Sequence, residues 1–291
     1  MTVPDAAAHV RDCGLDPGPV ISFLELVLAE DIGSGDVTSA AVFRRDQRDS
    51  FKVRAKRGGV LAGAPLAAAL LLTHDPDLEI GLPTPEGLRL RTGDVLLEVS
   101  GSVRSILEGE RVALNLLGRL SGIATLTSRF VAAIAGSNAK LLDTRKTGLG
   151  TRYLDTYAVR CGGGHNHRIG LFDAVLVKDN HIAAAGSIRA AVDALARTGW
   201  SPGQIEIECD TPTQVRECLE CGVGMVLLDN MTPDRLAEMV DLVAGRCELE
   251  ASGGVTLENV AAVAASGVDY VSVGAITHSA PALDVSLGTG D

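Results

Sequence analysis

The chain has 291 residues, 46% of them hydrophobic and 22% charged. That is enough apolar content to bury one large or two ordinary domains, and it excludes a disordered chain. A formal net charge of −11 and a pI near 5.0 exclude nonspecific binding to nucleic acid or to an anionic membrane, because the overall negative field repels both.

The opening residues show no cationic stretch followed by an apolar one. The apolar run Ala64 to Leu72 falls far short of the ~20 residues that span a bilayer. A cytoplasmic protein with no nucleic-acid and no membrane partner is expected.

Up to about residue 110, the runs FKVRAKRGGVLAGAPLAAALLL and LRLRTGDVLLEVSGSVRSIL read as strands with turns and a helix, an α+β domain. Glu110 to Ile134 carries leucines at helical spacing and reads as one long or broken helix joining two parts of the chain. Arg111 opens that helix, where it can reach a site on this chain or a neighbour; a lone arginine there is otherwise a solvated charge. The expected division is 1–110 for the first domain, with the tail 280–291 packing back on it, and 111–279 for the second.

From about Lys140, six short apolar runs alternate with amphipathic segments: KLLDT, AVLVKDN, IEIECD, MVLLDN, CELEASGG and YVSVGA. This alternation predicts repeated βα units, a parallel sheet and, with six units, a barrel. Thr211-Pro212, Thr232-Pro233 and Ser187 supply helix starts, and Gly199, Gly222, Gly245 and Gly267 supply helix ends. The cysteines at 13, 161, 209, 218, 221 and 247 form no disulfide framework and are expected to be reduced. Cys218 and Cys221 make a C-x-x-C within a helix whose apolar face is Val215 with Cys218 or Leu219. With no second pair at metal spacing, no metal is assigned to it.

Polar residues or glycine close each run. Asp143-Thr144-Arg145, Lys178-Asp179, Glu208-Cys209-Asp210, Asp229-Asn230, Ser252-Gly253-Gly254 and Gly274 all stand at strand carboxyl ends, where α/β barrels build their active sites. Side chains alternate along a strand, so Glu206 and Glu208 share one face while Ile205, Ile207 and Cys209 share the other. Buried carboxylates need partners, and Lys140 is the expected counter-charge for Glu206 or Glu250. These three read first as a structural ion network.

Between Leu141 and Ile182 the chain gathers Arg145, Lys146, Arg160, His165, His167, Arg168, Lys178 and His181, a basic cluster in an acidic protein that suits a small, caged anion. Arg145, Lys146, Arg168 and Lys178 together suit a dicarboxylate. Glu208 and Asp229 suit Mg²⁺ held together with ribose hydroxyls. Ser252-Gly253-Gly254 and Gly274-Ala275 place backbone N–H groups where a phosphate can approach, although a glycine pair alone is most often a tight turn.

Five stretches carry a resemblance to a known family: DTRKT at 143–147, RCGGGHNHRIGLFDAVLVKDNHI at 160–182, LLDNM at 227–231, EASGGV at 250–255 and VDYVSVGAITHSAPALDVSL at 268–287. They closely resemble the quinolinate phosphoribosyltransferases, or carboxylating nicotinate-nucleotide pyrophosphorylases. EDIGSGDVTS at 30–39 and ERVALNLLGRLSGIAT at 110–125 extend the resemblance over nearly the whole chain. It implies an N-terminal α/β sandwich domain, an incomplete parallel α/β barrel, and a homodimer or higher homo-oligomer with sites at the subunit interface. The implied reaction converts quinolinate and phosphoribosyl pyrophosphate, with Mg²⁺, into nicotinate mononucleotide, pyrophosphate and CO₂ in NAD biosynthesis.

The resemblance also implies roles for individual residues. Arg145, Lys146, His167, Arg168 and Lys178 surround the quinolinate carboxylates, with Thr144 among the substrate-binding residues and Arg111 contributed across the dimer interface. Glu208 and Asp229 hold the ribose and magnesium end of the donor, and Lys146, Lys178, Glu208 and Asp229 form the catalytic set. Ser252, Gly253, Gly254, Gly274, Ala275 and Ile276 bind the 5-phosphate.

The chain departs from the family pattern in places. Where the family has a proline and then Gly-Leu-Arg after DTRKT, this chain has Gly148-Leu149-Gly150-Thr151-Arg152; Thr156 replaces a lysine, and His165 replaces a small apolar residue. A paralogue with a different acceptor, associated with molybdenum uptake, would differ here. Other rivals are a Schiff-base lyase using Lys178, a metal site on His165 and His167, and a non-catalytic binding protein.

Overall fold

The structure is a computed structural model that describes residues 5–289. The chain begins with α1 (Ala6–Asp12), α2 (Pro17–Ile32), α3 (Val37–Val42), β1 (Arg48–Ala55), β2 (Gly59–Val60), α4 (Ala64–His74), β3 (Glu79–Gly81), β4 (Arg89–Leu90), β5 (Val95–Ser102) and α5 (Val103–Ile134). It continues through β6 (Lys140–Leu142), α6 (Arg152–Cys161), β7 (Val175–Val177), α7 (Asp179–Ala185), α8 (Ile188–Ala196), β8 (Ile205–Cys209), α9 (Pro212–Cys221) and β9 (Met225–Asp229). The last elements are α10 (Pro233–Val243), β10 (Glu248–Ser252), α11 (Val260–Ala265), β11 (Tyr270–Ser272), α12 (Ala275–His278) and β12 (Val285–Thr289). Among the described residues, no helix is long and apolar enough to cross a membrane.

Two compact units result. The first holds residues up to 127, 148–163 and 280 onward; the second holds 128–147 and 164–279. The 110/111 boundary expected from the sequence lies inside α5. That helix starts at Val103 rather than at Glu110 because β5 ends at Ser102, whose hydroxyl accepts the Ser105 N–H (3.3 Å) and caps the new helix directly.

In the first unit, β12, β1, β5 and β3 form an antiparallel sheet in that order. Helix α4 is apolar on every side, and Ala64 and Leu66 to Leu72 are all buried, as a helix enclosed by its neighbours requires. The 148–163 segment belongs to this unit through two acids, half-buried Glu86 and buried Asp155. Tyr157 on α6 donates to Glu86 (2.6 Å), and the same carboxylate caps α4 by accepting the Gly63 (2.6 Å) and Ala64 (2.9 Å) N–H groups. Asp155, whose side chain is fully buried, accepts two hydrogen bonds from the Arg119 guanidinium (3.0 and 2.6 Å) and one from the Gly148 N–H (3.0 Å). A proline at 148 could not make that last bond, which gives the departure from the family pattern a local reason.

In the second unit, six strands run parallel in the order β6-β11-β10-β9-β8-β7. They are the six runs read from the sequence. Hydroxyl caps start three of the outer helices: Ser187 accepts from Ala190, Thr211 from Gln214 and Thr232 from Arg235. Ile205, Ile207 and Cys209 are fully buried, and the Cys209 sulfur lies 3.5 Å from Cys218 on α9. That face of β8 therefore meets the helix layer, while Glu206 and Glu208 face inward. The C-x-x-C lies within α9 with Cys218 buried, as expected for helix packing.

The sheet does not close, because β6 and β7 are not paired. Beside β6, His165 adds a parallel bridge to Leu142: its N–H donates to Leu141 O (2.8 Å) and its carbonyl accepts from Asp143 N–H (3.1 Å). The side chain of His165 is exposed, so this substitution is a surface one.

Replacing Arg119 with leucine would strand the buried Asp155 carboxylate. The expected loss is about 3 kcal/mol in a urea melt followed in the N-terminal unit. A loss below about 1 kcal/mol would reduce the pair to an ordinary surface bridge.

Candidate active site

Because all six strands point the same way, their carboxyl ends form one mouth. A cavity of about 460 Å³ opens there, lined by Thr144, Arg145, Lys146, His167, Arg168, Leu176, Lys178, Glu208, Leu227, Asp229, Asn230, Glu250, Ser252, Gly253, Gly254 and Ser272. It collects eleven of the residues singled out from the sequence: Thr144, Arg145, Lys146, His167, Arg168, Lys178, Glu208, Asp229, Ser252, Gly253 and Gly254.

The cationic side of this cavity is under electrostatic tension. Burial and the neighbouring Arg145 charge both pull the Arg168 pKa down. The Arg145 Nε is buried with no hydrogen-bond partner, a donor left for an anion to satisfy. Lys178, just beyond β7, pairs with Glu208. Such a pair suits a charged ligand better than carbonyl attack by a free amine.

The acidic side sits on adjacent strands. Glu208 belongs to β8, and Asp229 ends β9. Burial pushes the Asp229 carboxyl up, and the Glu208 charge adds to it. Asn230 follows in the left-handed region (φ 55°), a conformation asparagine tolerates. Its side-chain amide donates to Asp229 (2.5 Å) and its backbone N–H to the Ser252 carbonyl (2.9 Å).

Gly253 has φ +87°, and a Cβ there would stand 2.3 Å from the Asn230 side-chain oxygen. Only glycine fits this turn, whereas Gly274 has an ordinary φ of −66° and a Cβ there would meet the flexible Lys146 side chain, at 2.9 Å. Gly274 leads into α12, and Thr277 donates to the Lys146 carbonyl (2.8 Å), tying the last strand end to the Arg145–Lys146 loop. Ala275 is half-buried and Ile276 fully buried, so the Ile276 side chain is a core group and only its backbone could serve a ligand. Arg111 lies in the other unit, exposed on α5.

The cavity floor differs from the sequence expectation. Lys140 does not neutralise the buried glutamates; it is exposed at the start of β6, with its ammonium over the Tyr270 ring at 5.8 Å. The partner is His167, whose Nε2 lies 3.2 Å from Glu206 and 3.3 Å from Glu250. Among the described residues, this trio alone brings His, Cys, Asp or Glu donor atoms within 4.8 Å of one another as a metal site would. It takes in neither His165 nor the C-x-x-C, and its carboxylates come from β8 and β10, far from His167 in sequence.

The tautomer argues against a metal. His167 Nδ1 accepts the Arg168 N–H (2.7 Å), so Nε2 must carry the ring proton, whereas a histidine that ligates through Nε2 keeps its proton on Nδ1. Two influences oppose each other on this ring. Burial disfavours its charged form, whereas the contacts with Glu206 and Glu250 favour it. The Arg168 N–H blocks the second proton that an imidazolium needs. The covalent chain fixes that contact, so the ring is neutral with its proton on Nε2, between the carboxylates. Burial pushes the Glu206 carboxyl up.

Leu176, Leu227, Asn230 and Ser272 also line the cavity without having been assigned a role from sequence. Alternation along β7, β9 and β11 places three of them; Asn230 carried a signal only in following Asp229.

Comparisons with known proteins agree along the chain. Residues 36–121 match the family described as quinolinate phosphoribosyl transferase, N-terminal domain, and residues 123–288 match the C-terminal domain of the same family. A probable carboxylating nicotinate-nucleotide pyrophosphorylase of Bacillus subtilis is 42% identical over 258 residues, 89% of each chain. Its counterpart in Synechocystis is 43% identical over 268 residues, 91% of this chain and 90% of the other. The solved nicotinate-nucleotide pyrophosphorylase of Francisella tularensis superposes with a TM-score of 0.89 at 36% identity, over 94% of this chain and 96% of that one. NadC from Streptococcus pyogenes gives 0.89 at 39% identity, over 95% and 99%.

Benzene-1,2-dicarboxylate carries two adjacent carboxylates and no reactive ring nitrogen. At a hundred times its Kd it should stabilise the protein by about 2.7 kcal/mol, seen as a raised melting temperature that is absent in Arg168→Met. An equal shift in both proteins would place the dicarboxylate elsewhere.

Proposed function

The chain belongs to the quinolinate phosphoribosyltransferase family, and on that footing we propose that it joins quinolinate to the ribose of phosphoribosyl pyrophosphate with decarboxylation. The products are nicotinate mononucleotide, pyrophosphate and CO₂, a step of NAD biosynthesis. The observation that carries this reading is one cavity holding Arg145, Lys146, Arg168 and Lys178 together with Glu208, Asp229 and the Ser252–Gly254 turn. The departures at 148–156 do not touch it, since none of those residues lines the cavity. Thr156 is buried in its own unit with its hydroxyl donating to Arg152 O (3.0 Å). Quinolinate therefore remains the better acceptor than that of a paralogue.

In this reading the cations hold both carboxylates and turn the pyridine nitrogen toward the ribose carbon. As pyrophosphate leaves, the ribose gains oxocarbenium character and the nitrogen attacks; orientation and fixed charge supply most of the catalysis. The bond from ring carbon 2 to its carboxylate then breaks, its electron pair remaining beside the cationic nitrogen, and that carbon takes a proton as CO₂ departs. No lysine Schiff base enters. Ser252, Gly253, Gly254 and Gly274 would receive the 5-phosphate through backbone N–H groups, with Ala275 and Ile276 contributing backbone only.

The donor set fits a magnesium ion. Glu208 and Asp229 are oxygen donors on neighbouring strands, and the Asp229 carboxyl, pushed up by burial and then by the Glu208 charge, is of the kind a divalent cation would hold. These two would hold it, with Glu208 shared between the ion and Lys178. When bound, the ion supplies positive charge for the pyrophosphate oxygens. A homodimer or larger assembly, in which Arg111 serves the neighbouring protomer's cavity, and a cytoplasmic location complete the proposal; the exposure of Arg111 supports the first.

The purified protein with phosphoribosyl pyrophosphate, Mg²⁺ and quinolinate should form nicotinate mononucleotide by mass spectrometry, none from nicotinate, and none with EDTA in excess. Product from nicotinate, or none from either acid, would defeat the assignment. Mixing Arg111→Glu with Lys178→Met should restore part of the activity that each lacks alone, which a site built within one chain would not allow.

A further inference from the structure

The cavity floor has no evident reason to be built as it is. Glu250 is 1% exposed, and beyond the 3.3 Å contact of Oε2 with His167 Nε2 its carboxylate oxygens have no hydrogen-bond partner; Glu206 is 7% exposed, with Oε1 unpartnered. Burying a charged group without its full set of partners costs stability, and an uncharged group of similar shape is commonly the more stable choice. Two such carboxylates converge on one histidine that has a single proton to share.

The histidine is fully engaged. Its Nε2 faces the two glutamates at 3.2 and 3.3 Å, and its Nδ1 accepts the Arg168 N–H at 2.7 Å. Its own backbone N–H donates to Asp143 (2.8 Å). No ring nitrogen remains for a ligand in the cavity, so the ring acts as a strut between the strands and the next residue. That residue needs a strut. Arg168 lies in the segment beside the open seam of the sheet, where ladder hydrogen bonds do not hold it, and the neighbouring Arg145 charge repels it. Its guanidinium makes one long bond, to Ala174 O (3.3 Å).

We propose that Glu206 and Glu250 are positioning residues for acceptor recognition: by gripping His167 through Nε2 they fix the Arg168 backbone, and with it the guanidinium that meets a quinolinate carboxylate. This rests on the reading of the cavity as the quinolinate site. His167 then serves the acceptor through Arg168 rather than by direct contact.

The test uses the full-length protein with Glu250→Gln and Glu206→Gln, each measured for both substrates and for melting temperature. Each should raise the quinolinate KM about tenfold while leaving the phosphoribosyl pyrophosphate KM within about twofold. The melting temperature of Glu250→Gln should equal or exceed that of the unaltered protein, because a buried charge with only one 3.3 Å contact is gone. Glu250→Asp, which keeps the charge, should recover part of the quinolinate KM. In an Arg168→Met background, Glu250→Gln should add little, since the guanidinium it positions is absent.

An unchanged quinolinate KM in both variants, or an equal rise in the two KM values, would overturn the proposal. So would a lowered melting temperature with the KM values intact, which marks a structural ion cluster. If one variant does not fold, the other decides. An inactive unaltered protein would instead count against the function itself, and the two failures are thereby distinguishable.

Discussion

Everything in the barrel unit depends on six strands sharing one direction. Parallel pairing from β6 through β11, β10, β9 and β8 to β7 sends each strand's last residues to the same end, and the crossover helices return the chain to the other. Groups far apart in sequence, such as Arg145, Glu208 and Ser252, then meet without any loop having to reach for its neighbour. The sheet also stops at six strands, so one seam stays open, and the chain that lies beside it carries His167 and Arg168. A closed barrel would hold those residues by ladder hydrogen bonds; here side chains have that task, which accounts for charged groups beneath the cavity.

Much of this was legible in the sequence because strand periodicity and strand ends are local signals. The six apolar runs are the six strands, and alternation along β8 separates Ile205, Ile207 and Cys209 from Glu206 and Glu208. Arg145, Lys178, Glu208 and Asp229 could be named from their place at the end of each run, and Arg168 from the basic cluster between the first two. What stayed hidden depends on neighbours across the sheet. Lys140 looked like a counter-charge because it opens the first strand, but that position is at an exposed strand start. His167 meets Glu206 and Glu250 only once a segment between β6 and β7 folds beside strands that come later in the chain. The grouping of residues 148–163 with the N-terminal unit was equally invisible, since it rests on Arg119 reaching Asp155 and Tyr157 reaching Glu86.

The floor of the cavity shows how stability and recognition diverge. In the first unit, Asp155 is buried with three donors, which is how a buried carboxylate is stabilised. Glu250 is almost as buried and has only the His167 ring at 3.3 Å. One fold therefore handles the same kind of group in two ways, and the difference follows location: the satisfied acid anchors a segment of the scaffold, and the poorly satisfied one lines the cavity. Strain of this kind concentrates where a protein must hold groups in an arrangement they would not choose, here two guanidiniums brought side by side.

The overall charge sets a last condition. A chain of net charge −11 repels the anions it is proposed to bind, and long-range attraction cannot bring them in. Screening limits that repulsion to roughly 8 Å at physiological ionic strength, so an anion that reaches the mouth senses mainly the groups lining it. There the half-buried guanidiniums of Arg145 and Arg168 act with less screening than surface charges, and an anion between them relieves their mutual repulsion. The binding free energy thus resides in the local crowding of Arg145 and Arg168, and selectivity in how rigidly that crowding is held. A monocarboxylate can relieve one guanidinium; two adjacent carboxylates on a flat ring can answer both, provided that Arg168 does not move away to meet the smaller anion.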